Sequence, residues 1–161
     1  MTASSGLQWS CLSFGELSPQ ALYALLALRS AVFVVEQNCV YQDVDGKDPQ
    51  ALHVMGWHAS DTGSPTLLAS TRLLPPGASF AEASIGRVVT APVTRGTGLG
   101  HELMAKSIDC LFRQWGVQDI RIGAQSHLQG FYARHGFVRD SDEYDEDGIP
   151  HVEMVRRGDS R

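Results

Sequence analysis

The segment Arg95-Gly96-Thr97-Gly98-Leu99-Gly100 constrains the fold of this chain more than any other. It follows an apolar, β-branched run at residues 85–90. A helical pattern comes next, with apolar residues on one face at Met104, Ile108, Leu111 and Trp115. A strand, a glycine-rich loop and a helix in this order direct backbone N–H groups and the helix dipole toward an anion. The segment therefore predicts a phosphate-binding loop, and an ordinary strand-to-helix turn is the alternative.

The glycine spacing does not fit the common nucleotide-binding loops. No Lys-Ser or Lys-Thr pair follows the glycines, as the ATP- and GTP-binding loop requires. The dinucleotide fingerprint is Gly-x-Gly-x-x-Gly in an early βαβ unit, whereas this chain has Gly-x-Gly-x-Gly late in the sequence. A different phosphate-containing ligand is therefore expected.

Composition indicates one globular domain over residues 1–161, with 43% hydrophobic and 19% charged residues. No apolar run approaches the ~20 residues of a membrane-spanning helix, and the N-terminus does not resemble a secretory signal. The three cysteines, Cys11, Cys39 and Cys110, are odd in number and scattered, which argues against a disulfide framework or a zinc site. Cys110 is expected in the core face of a helix. We therefore expect a cytoplasmic protein without a metal.

The formal net charge is -5, and the acidic residues are unevenly distributed. One group lies within residues 140–147, and a smaller group consists of Asp43, Asp45 and Asp48. This balance argues against nucleic-acid binding, which requires a basic surface. Two interpretations stay open: a solvated acidic loop, or a negative rim that attracts a cationic amine.

The order of elements predicts an α/β (α+β) fold. Strands are predicted at residues 7–14, 52–59, 66–74, 84–90, near 120–122, 137–139 and 152–156. Helices are predicted from Ser18-Pro19 to about residue 35, over 99–115, and near 128–135. The resulting sheet has six to seven strands, mostly antiparallel early in the chain, with a parallel pair late.

Two motifs resemble the hallmarks of the GNAT acetyltransferases. Residues 92–100 resemble their acetyl-CoA signature, Gln/Arg-x-x-Gly-x-Gly/Ala, and residues 131–137, Phe-Tyr-Ala-Arg-His-Gly-Phe, resemble their Tyr followed shortly by Gly-Phe. Four further blocks resemble the ElaA-type branch, at residues 29–39, 41–45, 85–88 and 144–151. The resemblance covers roughly residues 8–156. It implies the GNAT acyl-CoA N-acyltransferase fold, a mixed central sheet flanked by about four helices.

The resemblance also implies acetyl-CoA as co-substrate and a primary amine as acceptor, on a small molecule or a peptide, attacking directly in a ternary complex. The diphosphate of CoA would be held by Arg95, Gly96, Thr97, Gly98, Leu99, Gly100 and His101. Val88, Val89 and Thr90 would pair with the pantetheine arm, and a backbone N–H of that strand would polarise the thioester carbonyl. Gln125 stands where many GNAT enzymes have a cofactor-anchoring Asn, with the same donor and acceptor on a longer arm.

Tyr132 occupies the position of the acid that protonates the departing thiolate, and packing against CoA is its alternative role. Glu36 is the leading general base, with His53 and His151 as alternatives. An acyl-cysteine route through Cys39 or Cys110 is disfavoured because neither has a His partner at readable spacing.

Arg72 and Arg87 fall in otherwise apolar strands, where an unpaired cation is costly. They are expected to pair with Asp43, Asp45 or Glu82, or to bind a carboxylate of the acceptor. The candidate acceptor-binding residues are therefore Arg72, Arg87, His53 and His151.

Two other functions stay open. Acyl-homoserine lactone synthases share the Arg-x-x-x-Phe helix, the acidic loop and the Arg-Leu-Leu-Pro strand found at residues 29–33, 43–48 and 72–75. They lack a well-formed diphosphate loop, so CoA is the better donor here. A CoA-binding module without turnover is the second alternative. The identity of the acceptor, the acyl-chain preference and a homodimeric state stay open.

Overall fold

A computed structural model describes residues 6–159, so the predicted domain limits at residues 1 and 161 lie outside the described residues. The first sheet contains β1 (Gln8–Ser13), β2 (Leu52–His58), β3 (Thr66–Leu74) and β4 (Ser84–Thr90), all antiparallel and in that order. The second sheet contains β5 (Ile120–Gln125), β6 (Val138–Arg139), β7 (Tyr144–Glu146) and β8 (Ile149–Arg156). There, β8 pairs antiparallel with each of the other three strands.

The described helices are α1 (Pro19–Arg29), α2 (Leu99–Trp115) and α3 (Gln129–Ala133). Helix α1 begins where Ser18 Oγ accepts the backbone N–H of Ala21 at 3.0 Å, with proline at the first position. It continues into a π-helical segment, Ser30–Glu36, where the sequence predicted a uniform helix to about residue 35. A π-helical segment is rare and is often found beside functional sites.

Contrary to the sequence analysis, the stretch Pro19–Glu36 is long and apolar enough to cross a membrane by length and composition, with a mean hydropathy of 1.3. It carries Arg29, which is 0% exposed. The Arg29 guanidinium donates to Asp43 Oδ2 at 2.8 Å and to Asp48 Oδ1 at 2.7 Å. In this structure the stretch is therefore attached to the domain by a buried ion-pair network.

The two sheets meet at a single parallel bridge between Ala83 and Ile120. The Arg121 N–H donates to the Ala83 carbonyl there, at 2.9 Å. Beyond this bridge no described ladder joins β4 to β5, and a cavity lies between them. The predicted fold class is confirmed. The single mixed sheet of six to seven strands was wrong in detail, because the predicted parallel pair is reduced to this bridge.

One described strand, β7, was missed by the sequence analysis. Its acidic residues were interpreted as part of a loop, but Glu146 pairs with Ile149 across a two-residue turn. The turn residues Asp147 and Gly148 have φ values of 53° and 83°, as a type I′ turn requires. The Asp-Gly pair was the local signal for this hairpin.

The core lies between α2 and the first sheet and extends to β5 and β8. Leu103, Met104 and Leu111 of α2 are each 0% exposed, in agreement with the predicted apolar face. Burying each such side chain contributes roughly 1.5–3 kcal/mol to folding. This packing fixes the first turn of α2, and with it the glycine loop, against the sheet.

The cysteines differ from the prediction. Cys11 on β1 and Cys110 on α2 form a disulfide, with their Cα atoms 6.7 Å apart, while Cys39 is free and buried. Cys110 lies in the core, as predicted, but the argument against a disulfide was wrong, because folding brings together a strand position and a helix position that are 99 residues apart. Sequence spacing carries no signal for such a contact.

Candidate functional site

The glycine loop presents an uninterrupted run of free backbone donors. No backbone N–H of residues 96–100 donates to another residue of the described chain. Gly96 and Gly98 have φ values of 81° and 83°, and a Cβ on either would meet nothing within 4 Å. These glycines are required for their backbone conformation, and the space beside them is open.

Helix α2 adds its dipole to these donors. Gly98 is its N-cap, and no side chain caps the helix there. Unpaired N–H groups and the positive end of a helix dipole together form an anion site. The His101 N–H, which the sequence analysis included, donates instead to the Gly98 carbonyl at 3.1 Å. The structure therefore limits the free donors of the loop to residues 96–100.

The Arg95 guanidinium binds Glu36 of the π-helical segment. Its Nη1 donates to Glu36 Oε2 at 3.0 Å, and its Nη2 is bonded to Glu36 Oε1. The hydrogen bond from Arg95 lowers the pKa of the exposed Glu36 carboxyl, and the same bond raises the pKa of Arg95. Glu36 thus lies beside the loop, outside the cavity lining. Its lowered pKa makes it a weaker base.

A cavity of about 500 Å³ lies between the two sheets. Its walls are β4, β5, the β7–β8 hairpin and the chain that follows α1. Six of the predicted site residues line it: Arg72, Arg87, Val88, Gln125, Tyr132 and His151. Val89 and Thr90 lie on the same strand and do not line it.

Tyr132 lines this cavity. Its ring packs against other aromatic rings, and its hydroxyl carries a proton. The side chain is held edge-on by Phe131 and Phe137, at ring-centroid distances of 5.0 and 6.0 Å. Burial raises the pKa of Tyr132 to about 12. The hydroxyl therefore keeps its proton at neutral pH and can donate it to a stronger base at the cavity.

Arg72 and Arg87 are held in a network with Asp43, which is buried, and Asp45, which is partly exposed. Arg72 binds Asp45 through two nitrogens, at 2.7 and 2.9 Å, and Arg87 Nε lies 2.8 Å from Asp43 Oδ1. Burial alone would raise the pKa of Asp45, but the hydrogen bonds from Arg72 and the Lys47 backbone, together with the charges of Arg72 and Arg87, hold that pKa well below its usual range. The predicted pairing with Asp43 and Asp45 is confirmed.

Glu82 was the wrong partner for these arginines, since its carboxylate accepts from Arg121 Nε at 3.0 Å. Arg87 also has a φ of 48°, where β4 and β3 lose register. A bulge of this kind redirects a side chain. Here the Arg87 guanidinium lies 5.5 Å from the centre of the Tyr41 ring, another cavity residue.

The two predicted histidines occupy different environments. His53 is 0% exposed, its Nε2 lies 3.1 Å from the Asp48 carbonyl oxygen, and burial lowers its pKa. It lies beneath the arginine–aspartate network and does not line the cavity. His151 does line the cavity, with Nδ1 at 2.7 Å from the Ile149 carbonyl oxygen and Nε2 at 3.2 Å from Glu146 Oε2.

The sequence analysis did not assign several residues of the cavity wall. Phe33 and Phe80 supply apolar surface, and Gln37 accepts a 3.4 Å hydrogen bond from Gln125 Nε2. Phe33 and Gln37 reach the cavity from the chain after α1, and Phe80 reaches it from the connection between β3 and β4, which no local pattern specifies. Within residues 6–159 no group of three or more His, Cys, Asp or Glu side chains is arranged to hold a metal ion.

The fold and the loop together define the class of acyl-CoA N-acyltransferase folds. Residues 76–157 match the family described as Acetyltransferase (GNAT) domain, which is more than half of the chain. The chain belongs to this family, as the sequence motifs predicted.

The branch within the family is also confirmed. The chain is 42% identical to protein ElaA of Escherichia coli over 152 residues, covering 93% of this chain and 96% of that protein. The crystal structure of E. coli ElaA aligns with a TM-score of 0.85 at 41% identity, over 94% of this chain and 99% of that one. An acyl-CoA N-acyltransferase from Pseudomonas aeruginosa aligns with a TM-score of 0.86 at 44% identity, with the same coverage.

A more distant structure shares the fold alone. The CoA-dependent acyl-homoserine lactone synthase BjaI aligns with a TM-score of 0.74 at 16% identity, over 93% of this chain and 82% of that one. At this identity the likeness extends to the architecture and no further.

Proposed function

We propose that this protein transfers an acetyl group from acetyl-CoA to a primary amine of a small-molecule or peptidyl acceptor, by direct attack in a ternary complex. The observation that carries the proposal is the run of free N–H donors at residues 96–100, beside a cavity that contains Tyr132. The loop binds the diphosphate, and the cavity receives the thioester and the amine. Membership of the GNAT family supports an acyltransferase with an acyl-CoA donor.

The unpaired edge of β4 binds the pantetheine arm. Beyond the bridge at Ala83, the edge of β4 that faces β5 has no described strand partner. An extended amide chain can therefore add to residues 88–90 as a further strand would. A backbone N–H on this edge stabilises the oxyanion that forms on the thioester carbonyl. Gln125 across the cavity contributes a side-chain amide to the same ligand.

Tyr132 supplies the proton for the leaving group. The amine nitrogen forms a bond to the carbonyl carbon, the carbon–sulfur bond breaks, and its electron pair moves to sulfur. The sulfur takes the proton of the Tyr132 hydroxyl. The phenolate recovers a proton from the acylated nitrogen, so the products are the N-acetyl amine and CoA as a free thiol.

We also propose a cytoplasmic location, because acetyl-CoA is an intracellular co-substrate. The Cys11–Cys110 disulfide is unusual for a reducing compartment. Its redox state in protein trapped directly from cells is therefore a check on this location. A homodimer stays a proposal that sedimentation can test.

The test of the proposed function is a panel of primary amines incubated with acetyl-CoA, with release of the CoA thiol as the readout. Turnover that depends on the amine, with N-acetylated product found by mass spectrometry, is the expected result. Longer acyl-CoA donors in the same assay measure the acyl preference. Tight binding of acetyl-CoA without thiol release for any amine would identify a CoA-binding module instead.

A further inference from the structure

His151 lines the cavity from a strand that is paired on both sides. Strand β8 is paired on both sides at this residue, with Gln125 of β5 and with Tyr144 of β7. The His151 side chain is only 9% exposed, and the Tyr144 ring stacks on it at a centroid distance of 5.9 Å. The imidazole position is therefore fixed by the sheet rather than by a loop.

The ring nitrogens of His151 have separate partners. Nδ1 lies 2.7 Å from the carbonyl oxygen of Ile149, so it carries a proton and donates it there. That bond leaves the lone pair of the neutral ring on Nε2. Nε2 lies 3.2 Å from a carboxylate oxygen of Glu146, whose side chain is 57% exposed. The two atoms are therefore close enough for one ammonium group at the cavity wall to contact both.

The other candidate bases either are bound by an arginine or do not line the cavity. The Glu36 carboxylate is bound by Arg95 and lies outside the cavity lining. Asp45 lines the cavity, but Arg72 binds both of its oxygens and lowers its pKa. His53 lies outside the cavity lining and is fully buried. His151 is the remaining buried base whose ring faces the cavity.

We propose that His151 Nε2 removes the proton from the ammonium group of the acceptor, and that Glu146 stabilises the imidazolium that results. This inference rests on the proposed function. It also defines the acceptor as a basic amine that arrives as its cation, drawn to the rim by the carboxylates of Glu146 and Asp147. The ammonium nitrogen sits between His151 and Glu146, in place of their direct contact.

The proton balance follows from this placement. The ammonium gives one proton to Nε2, and the nitrogen lone pair attacks the thioester carbon. The carbon–sulfur bond breaks, sulfur takes the Tyr132 proton, and the phenolate recovers the remaining excess proton from nitrogen. His151 then releases its proton to solvent. A neutral amine needs no such step, so the requirement for His151 should depend on how basic the amine is.

The test compares wild type and His151→Gln with ethylamine, 2-fluoroethylamine and 2,2,2-trifluoroethylamine as acceptors. Each added fluorine lowers the basicity of the amine, and the trifluoro compound is mostly neutral at pH 7.5. For ethylamine we expect kcat/KM to fall about 100-fold or more in the variant, the usual contribution of a general base. For trifluoroethylamine we expect kcat/KM to change less than about threefold. His58→Gln, at an exposed position on β2, is the matched control.

If the His151→Gln variant does not fold, Glu146→Gln on the exposed hairpin tests the same proposal. It should show the same dependence on amine basicity, with a loss of about tenfold for ethylamine. An equal loss for all three amines in either variant would assign these residues to binding and overturn the proposal. Absence of thiol release from the wild type with every amine would instead overturn the proposed function on which it rests.

Discussion

At the scale of single residues, burial shifts the pKa of a tyrosine and the pKa of a histidine in opposite directions. It raises the pKa of Tyr132 to about 12 and lowers the pKa of His53. In both cases the neutral form is favoured, because low polarity penalises charge. Tyr132 therefore retains its proton at neutral pH, as the proposed acid role requires. His53 stays uncharged beside the buried Arg29 network.

Replacing Tyr132 by phenylalanine tests its role as an acid. The change removes one oxygen and keeps the ring contacts with Phe131 and Phe137. We expect turnover to fall about tenfold or more, since general acids contribute at least that much. The affinity for acetyl-CoA, measured by calorimetry, should change little. A wild-type rate in this variant would show that Tyr132 only packs.

The lowered pKa of His53 predicts a pH dependence of stability. An unfolded histidine binds a proton below about pH 6.5. The buried His53 does so only at a lower pH, so the unfolded state gains protons first. The free energy of unfolding should therefore fall as pH drops below about 6.5, by at most ~1.4 kcal/mol per pH unit for this group.

Urea unfolding of wild type and His53→Gln between pH 8 and pH 5 measures this effect. His101 and His135 also have pKa values lowered by burial, so only the difference between the two proteins belongs to His53. We expect a shallower decline in the variant. Parallel curves would mean that His53 is not the group that titrates.

At the scale of elements, the glycine loop makes the sharpest prediction. In Gly98→Glu a carboxylate would stand at the site of the diphosphate, and repulsion should abolish acetyl-CoA binding. The fold should survive, because a Cβ at Gly98 meets nothing within 4 Å. The strain of a side chain at this positive φ is about 1–2 kcal/mol. Calorimetric titration with acetyl-CoA measures the loss.

Gly77→Glu is the matched control for this substitution. Gly77 has a φ of 88° and equally open surroundings, but it lies in the connection between β3 and β4. It should suffer the same strain and still bind acetyl-CoA. Unchanged affinity in Gly98→Glu would show that the diphosphate binds elsewhere.

The disulfide between β1 and α2 should stabilise the fold. It links residues 99 positions apart, and closing a loop of that length restricts the unfolded chain by up to about 5 kcal/mol. Reduction should therefore lower the unfolding midpoint of the wild type. The midpoint of Cys110→Ala should not respond to the reductant. Equal midpoints for oxidised and reduced wild type would contradict this account.

These elements also show what the sequence could and could not predict. The bounds of β3 and α2 match the prediction at residues 66–74 and 99–115, because alternating or helical apolar patterns are local. The glycine loop and Tyr132 were proposed as site residues from motifs that need no tertiary information. The disulfide, the ion pair of Glu36 with Arg95 and the burial of His53 depend on long-range contacts, which local patterns do not contain.

At the scale of the whole molecule, the cavity exists because the two sheets are joined at one end only. Arg121 beside the bridge binds Glu82 at 3.0 Å, Asp140 at 2.8 Å and Glu153 at 2.9 Å. These contacts connect the segment before β4 with the second sheet. Past them β4 and β5 have no ladder, and the freed edge of β4 is available to a ligand.

The crystal structure of the complex with acetyl-CoA tests the central claim most directly. The account predicts diphosphate oxygens within hydrogen-bonding distance of the amides of residues 96–100. It also predicts the thioester between β4 and β5, with its sulfur near the Tyr132 hydroxyl. A diphosphate bound away from these amides, or a thioester outside the cavity, would contradict it.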